Sequence, residues 1–165
     1  MTSEAIGQTI HTFNTQPEKA KGKPSVTARS DGAQAVIQAG PFVFRADLPQ
    51  ALGGSNQAPS PTALLLGALA GCAVVFIRDT VAPQLGVRVD AVEATAGCET
   101  DARGLLAIGS ASPDLANVQV DIRIDSPDGE AAAERLYQAW RERCPIYLAL
   151  LNATPVASRV GSARL

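Results

Sequence analysis

The soft nucleophiles of this chain are three cysteines, Cys72, Cys98 and Cys144, and its single histidine is His11. An odd number of cysteines with no CxxC pair argues against a disulfide scaffold and against a zinc knuckle. A reactive thiolate needs a histidine, a nearby cation or a helix N-terminus to lower its pKa. With histidine so scarce, an arginine is the expected helper. Cys72 sits in SPTALLLGALAGCAVVFIRD, a stretch with no charge between Pro61 and Arg78. Taken alone, such a setting favours a cysteine that merely packs, because free cysteine is among the most buried residue types. Cys98, between Gly97 and Glu99 on an expected strand, reads the same way. Cys144 differs: the following Pro145 biases it away from helical angles and toward the N-cap of a last helix, where unpaired N–H groups stabilise a thiolate.

These thiols must be positioned by the elements around them. Residues 1–24 are polar and read as a loosely held arm with one strand at Ile6–Phe13. From Ser25 the apolar residues alternate in short runs broken by Asp31-Gly32 and Gly40-Pro41, the pattern of a meander of two or three strands. The Gly/Pro loop Leu52–Pro61 leads into a helix with Ser60 as N-cap and Pro61 at its first position, predicted to end near Ala82, before Pro83 and Gly86. Gly67 and Gly71 lie one turn apart on it, a small-residue face that admits a partner helix. Val87–Glu99 and Ala116–Ser126 alternate as half-buried strands and are expected to pair. Residues 128–144 are expected to form an amphipathic helix with Ala133, Leu136, Tyr137 and Trp140 at helical spacing, and Pro145 breaks it and starts another.

Composition narrows the function. The chain has 165 residues, 46% hydrophobic and 18% charged, enough for one domain over 25–165 with a sizeable core. A net charge of -2, from 14 basic and 16 acidic residues, offers no basic surface for nucleic acid. The N-terminus lacks the pattern of a signal peptide, so a cytoplasmic location is expected. The uncharged run Ala63–Ile77 spans 15 residues, whereas a membrane helix needs about 20; a helix buried in protein is expected, with no membrane partner.

In order along the chain stand Asp47, Pro49, Gly53, Gly54, Pro61, Cys72 eleven residues after that proline, the DARG tetrapeptide with Asp101, Arg103 and Gly104, and Cys144 before Pro145. This order and spacing resembles the OsmC/Ohr family of osmotically inducible and organic hydroperoxide resistance proteins, over roughly residues 25–158. The resemblance implies an α+β fold in which two chains intertwine, antiparallel sheets wrapping around long central helices, as an obligate homodimer with sites at the interface. It implies a thiol-dependent peroxidase of organic hydroperoxides with no cofactor. Cys72 would be the peroxidatic thiolate and Cys144 the resolving thiol, recharged by a dithiol such as a lipoylated protein.

The resemblance also implies an arginine from the first sheet beside Cys72, for which Arg29 is the better match and Arg45 the alternative. The family holds this arginine with a glutamate after the helix-opening proline, and this chain has Thr62 there. Either another carboxylate, Asp31 or Asp47, supports the arginine, or the chain is a non-catalytic relative that binds an apolar ligand in the interface pocket. A redox-sensing dimer that does not turn over is a third reading. Asp101 and Arg103 are expected to form a solvated turn, with Gly104 supplying a backbone angle.

Overall fold

The structure is a computed structural model that describes residues 3–161. It opens with a helix, α1 (Ser3–Thr15), where a strand was expected from Ile6 to Phe13. Its threonines turn their hydroxyls onto the preceding helical turn, Thr9 to the Ala5 carbonyl at 3.0 Å and Thr12 to the Gln8 carbonyl at 2.9 Å. Ile6 is buried and Ile10 and Phe13 continue its stripe, spacing that suits a helix and not a strand. A 3-10 turn, Pro17–Ala20, completes the arm.

The meander follows as expected: β1 (Thr27–Asp31), β2 (Gln34–Ala39) and β3 (Phe42–Ala46) form an antiparallel sheet in that order. Gly32 at φ 60° and Gly40 at φ 56° make its two tight turns, a backbone region that favours glycine. Arg29 lies opposite Val36, and Val36 opposite Arg45, so all three share one face. Ala28, Ile37 and Phe44 line the other.

The central helix α2 (Pro61–Phe76) starts as its sequence dictates: the Ser60 hydroxyl accepts from the Ala63 N–H at 3.1 Å and Pro61 opens the first turn. It does not stop before Pro83. A π turn, Ile77–Val81, carries it into a last turn, α3 (Ala82–Leu85). Pro83 sits in the first turn of that segment, where its missing N–H is least costly, and Gly86 at φ 64° closes the helix. The continuous helix Pro61–Leu85 has 25 residues and is long and apolar enough to cross a membrane by length and composition. The Arg78–Asp79 ion pair at 2.8 Å interrupts its apolar surface.

Behind α2 lies a second antiparallel sheet, β4 (Ala91–Glu99) and β5 (Ala116–Asp125), which pair as predicted. Val92 faces Ile124 and Ala94 faces Ile122, giving an apolar face for the helices. Helix α5 (Glu130–Arg143) buries Ala132, Leu136, Ala139 and Trp140. They meet Leu69, Ala73, Ile77 and Val81, one residue per turn of the central helix, in a single core.

The loop between β4 and β5 carries a short helix, α4 (Ala102–Leu105), which Asp101 caps by accepting from the Arg103 N–H at 3.0 Å. Gly104 is needed here for closeness and not for its backbone angle: a Cβ would run into the backbone of Ser112 and Pro113. Among the described residues, the β1–β3 sheet packs extensively on none of the helices. Phe42 is 71% and Val43 61% exposed.

Candidate active site

The last helix, α6 (Pro145–Leu151), begins where the cysteine-proline pair places it. Pro145 keeps Cys144 extended, at φ -69° and ψ 114°, so Cys144 ends α5 and caps α6 at once. Its Sγ accepts from the Tyr147 N–H at 3.5 Å. From the other side α2 delivers Cys72, and the two sulfurs lie 2.8 Å apart. They are not bonded, since a disulfide would bring them to about 2.05 Å. Cys144 is fully buried and Cys72 only half-buried. A reactant therefore meets Cys72 first, with Cys144 behind it.

Burial pushes the Cys72 thiol up to about 12, reinforced by the hydrogen bond and charge of Cys144 and opposed by the Ile146 N–H. Within one chain Cys72 is thus a protonated thiol at neutral pH. Two amides of the last helix bear on the sulfurs: the Tyr147 N–H bonds Cys144, and the Ile146 N–H favours the thiolate of Cys72. The sequence announced such donors at the cysteine-proline step, though not which amide serves which sulfur.

Among the described residues no cation acts on Cys72. Arg29 lines a cavity of about 470 Å³ with Asp47 and Pro61. Pro61 is eleven residues before Cys72, which at about 1.5 Å per residue is about 16 Å along the helix. Arg29 makes no ion pair among the described residues. Arg45 is engaged, with Asp31 at 2.9 Å and the Gln34 side chain at 2.8 Å.

Neither carboxylate considered as a substitute for the missing glutamate is available to Arg29. Asp31 is taken by Arg45. Asp47 is buried and accepts from the Leu48, Ser55 and Gln57 N–H groups and the Ser55 hydroxyl, at 2.7, 3.1, 2.9 and 2.6 Å. These bonds, led by that from Gln57, hold its carboxyl well below the usual carboxylate range. Thr62 lines a different cavity, with Pro49 and Leu105. Cys98 falls at the bulge where the β4–β5 register shifts and has no part in the thiol pair. No cluster of three or more metal-ligating side chains occurs among the described residues.

The molecule is thus an α+β protein with two antiparallel sheets, a long apolar helix and two contacting thiols on separate helices. Residues 54–159 match the family of OsmC-like proteins, and the chain belongs to that family. Solved structures share the fold. An OsmC-like protein from Mycoplasma pneumoniae superposes with a TM-score of 0.67 at 18% identity, covering 81% of this chain and 91% of its own. An organic hydroperoxide resistance protein OsmC from Legionella pneumophila gives 0.56 at 20% identity, over 78% of this chain and 89% of its own. The organic hydroperoxide resistance protein OhrB of Bacillus subtilis gives 0.51 at 21% identity, over 78% and 90%. No curated protein matches at a comparable level. Arg29 lies outside the matched segment 54–159.

Proposed function

We propose that this chain is a thiol-dependent peroxidase of organic hydroperoxides, working as a homodimer in the reducing cytoplasm. The observation that carries the reading is the 2.8 Å approach of a half-exposed Cys72 sulfur to a buried Cys144 sulfur. In the reaction the Cys72 thiolate attacks the outer oxygen of the hydroperoxide and the O–O bond breaks. The alkoxide leaves and takes a proton to become an alcohol, and Cys72 becomes a sulfenic acid. The Cys144 thiolate then attacks that sulfur, a disulfide forms, and the hydroxide leaves as water with a further proton. A dithiol such as a lipoylated protein restores both thiols by exchange and is itself oxidised.

The thiolate needs a cation, and a second copy of the chain is its source in this reading. Arg29 has a free guanidinium on a sheet that does not cover its own helices, so an intertwined partner can lay it beside Cys72. Mass spectrometry of the reduced protein after one equivalent of cumene hydroperoxide, repeated with excess dihydrolipoamide, tests the whole sequence of steps. A Cys72–Cys144 disulfide that forms and is reduced again is expected; thiols left untouched would sink the reading. The second reading, a non-catalytic protein that binds an apolar ligand, is favoured by Thr62 and by the raised Cys72 pKa. It requires peroxide consumption to be absent and ligand binding to survive in Cys72→Ser.

A further inference from the structure

The two contacting sulfurs form a soft pair that stands by itself. Cys72 and Cys144 lie 2.8 Å apart, while Cys98 and the single histidine, His11, belong to other elements, β4 and α1. Among the described residues no third metal-ligating side chain joins the pair. An ion that takes all its ligands from the protein, such as structural zinc with its four, therefore has no site here. A soft centre that needs only two sulfurs and brings its own remaining substituent does.

The spacing decides which centre fits. With a bond of about 2.3 Å between sulfur and the centre, two sulfurs stand about 4.6 Å apart on a linear centre, about 3.8 Å on a tetrahedral one and about 3.3 Å on a pyramidal one with angles of about 90°. From the observed 2.8 Å, a pyramidal centre asks for about 0.5 Å of movement, and the others for about two to four times as much. Cys144 can yield by that amount, since it is a single extended residue between α5 and the seven residues of α6. Trivalent arsenic is the soft centre of that shape.

Access and protonation agree with this choice. The half-buried Cys72 meets a ligand first, and the fully buried Cys144 closes the ring behind it. A groove of about 400 Å³ lined by Leu69, Trp140 and Tyr147 offers an apolar wall to one organic substituent. Leu69 lies one turn before Cys72, and the Tyr147 N–H bonds Cys144. Burial keeps Cys72 protonated. An arsenic hydroxide condenses with thiols as they are, because each thiol proton departs with a hydroxide.

We propose that Cys72 and Cys144 together form a binding site for monosubstituted trivalent arsenicals, with arsenic bridging the two sulfurs across α2 and α6. Two As–O bonds of R–As(OH)2 break and two As–S bonds form, and the hydroxides leave as two waters with the two thiol protons. Arsenic stays trivalent and neither sulfur is oxidised, so no further reactant is needed. The assignment goes beyond the peroxidase reading: it uses the same thiols but neither a thiolate nor the arginine of a second copy.

The test adds one equivalent of phenylarsine oxide, which hydrates to the dihydroxide, to the reduced full chain without oxygen. The mass of the intact protein and the alkylation of each cysteine are then followed. Wild type is expected to gain one phenylarsenic group per chain and to protect Cys72 and Cys144, but not Cys98, from alkylation. The dithiol 2,3-dimercaptopropanol should strip the adduct, whereas the monothiol glutathione at the same concentration and excess zinc should not. Cys72→Ser and Cys144→Ser should each weaken retention about 100-fold or more, the loss of one tether in a two-point attachment, and Cys98→Ser should leave it unchanged. An adduct that keeps wild-type strength in either of the first two variants, leaves Cys144 open to alkylation, or yields to glutathione or zinc would overturn the proposal. Phenylarsenic held by a protein that consumes no hydroperoxide would sink the peroxidase reading and leave this site standing; a working peroxidase that never holds phenylarsenic would do the reverse.

Discussion

Cys72 is under two opposed demands, since shielding from water protects a sulfenic acid but suppresses the thiolate that must form it. In a single chain shielding dominates, and the thiol is pushed up to about 12. A thiol whose folded pKa is raised contributes stability at pH below its ordinary range and loses it as pH rises toward the folded value. In the proposed dimer Arg29 of a second copy should reverse the shift. The rate of Cys72 alkylation against pH is therefore expected to turn over below the ordinary thiol range in wild type. Arg29→Gln should move that transition up toward the single-chain value, whereas Arg45→Gln should leave it in place, because Arg45 is already held by Asp31. A wild-type profile unchanged by Arg29→Gln would remove Arg29 from the site. A companion prediction concerns the order of the thiols. Cys72→Ser should reduce peroxide consumption to background, while Cys144→Ser should complete one oxidation and stop at a sulfenic acid that dimedone traps.

The elements were legible where local chemistry decides them and obscure where tertiary contact does. Ser60 and Pro61 announced the start of α2, Pro145 the break before α6, and the Gly32 and Gly40 turns the first sheet. The arm was misread because the facts that decide it, threonine hydroxyls bonded back along the helix and Ile6 buried, depend on the fold. Pro83 was misread as a stop because the π turn before it has no sequence signature of its own. At the site, the contact of Cys72 with Cys144 was legible only through the family resemblance, because the α5–α6 bend that brings Cys144 to the central helix is a tertiary feature.

The loop from Asp47 to Gln57 is the element whose logic can be tested most directly. Asp47 gathers three N–H groups and a hydroxyl, and Gly54 passes so close that a Cβ there would strike the Leu48 backbone. Asp47→Asn keeps the shape but replaces an oxygen acceptor with a donor, so it should lower the thermal midpoint at pH 7 by several degrees. Because the folded carboxyl titrates below its ordinary range, the stability it contributes is present above that range and is lost as pH falls through the lower folded value. The gap between wild type and Asp47→Asn should accordingly persist in mildly acidic buffer and close only in strong acid. Gly54→Ala should be at least as damaging at every pH; a neutral effect on melting would show that the loop does not bind as tightly as its bonds imply.

At the scale of the whole molecule, one chain cannot cover its own apolar surface. Leu65 is 37% and Val75 51% exposed on the central helix, and Phe42 is 71% exposed on a sheet that packs on no helix extensively. Apolar exposure on both a helix and a sheet is the kind of surface that an interface covers. A C2 pair explains both surfaces at once, because in an isologous contact the bare sheet of each copy can meet the bare helix of the other. Gly67 and Gly71 supply the geometry: a Cβ at either would meet nothing within 4 Å among the described residues, so the space beside them is open to a second backbone. Sedimentation at micromolar concentration should therefore give a dimer, and Gly71→Leu should dissociate it while each chain keeps its helical circular dichroism. If the proposed dimer brings Arg29 to the thiol, the same substitution should slow oxidation of Cys72 as strongly as Arg29→Gln, by separating the copies. A Gly71→Leu protein that is monomeric yet oxidises at the wild-type rate would mean that one chain activates Cys72 unaided, through the Ile146 amide alone.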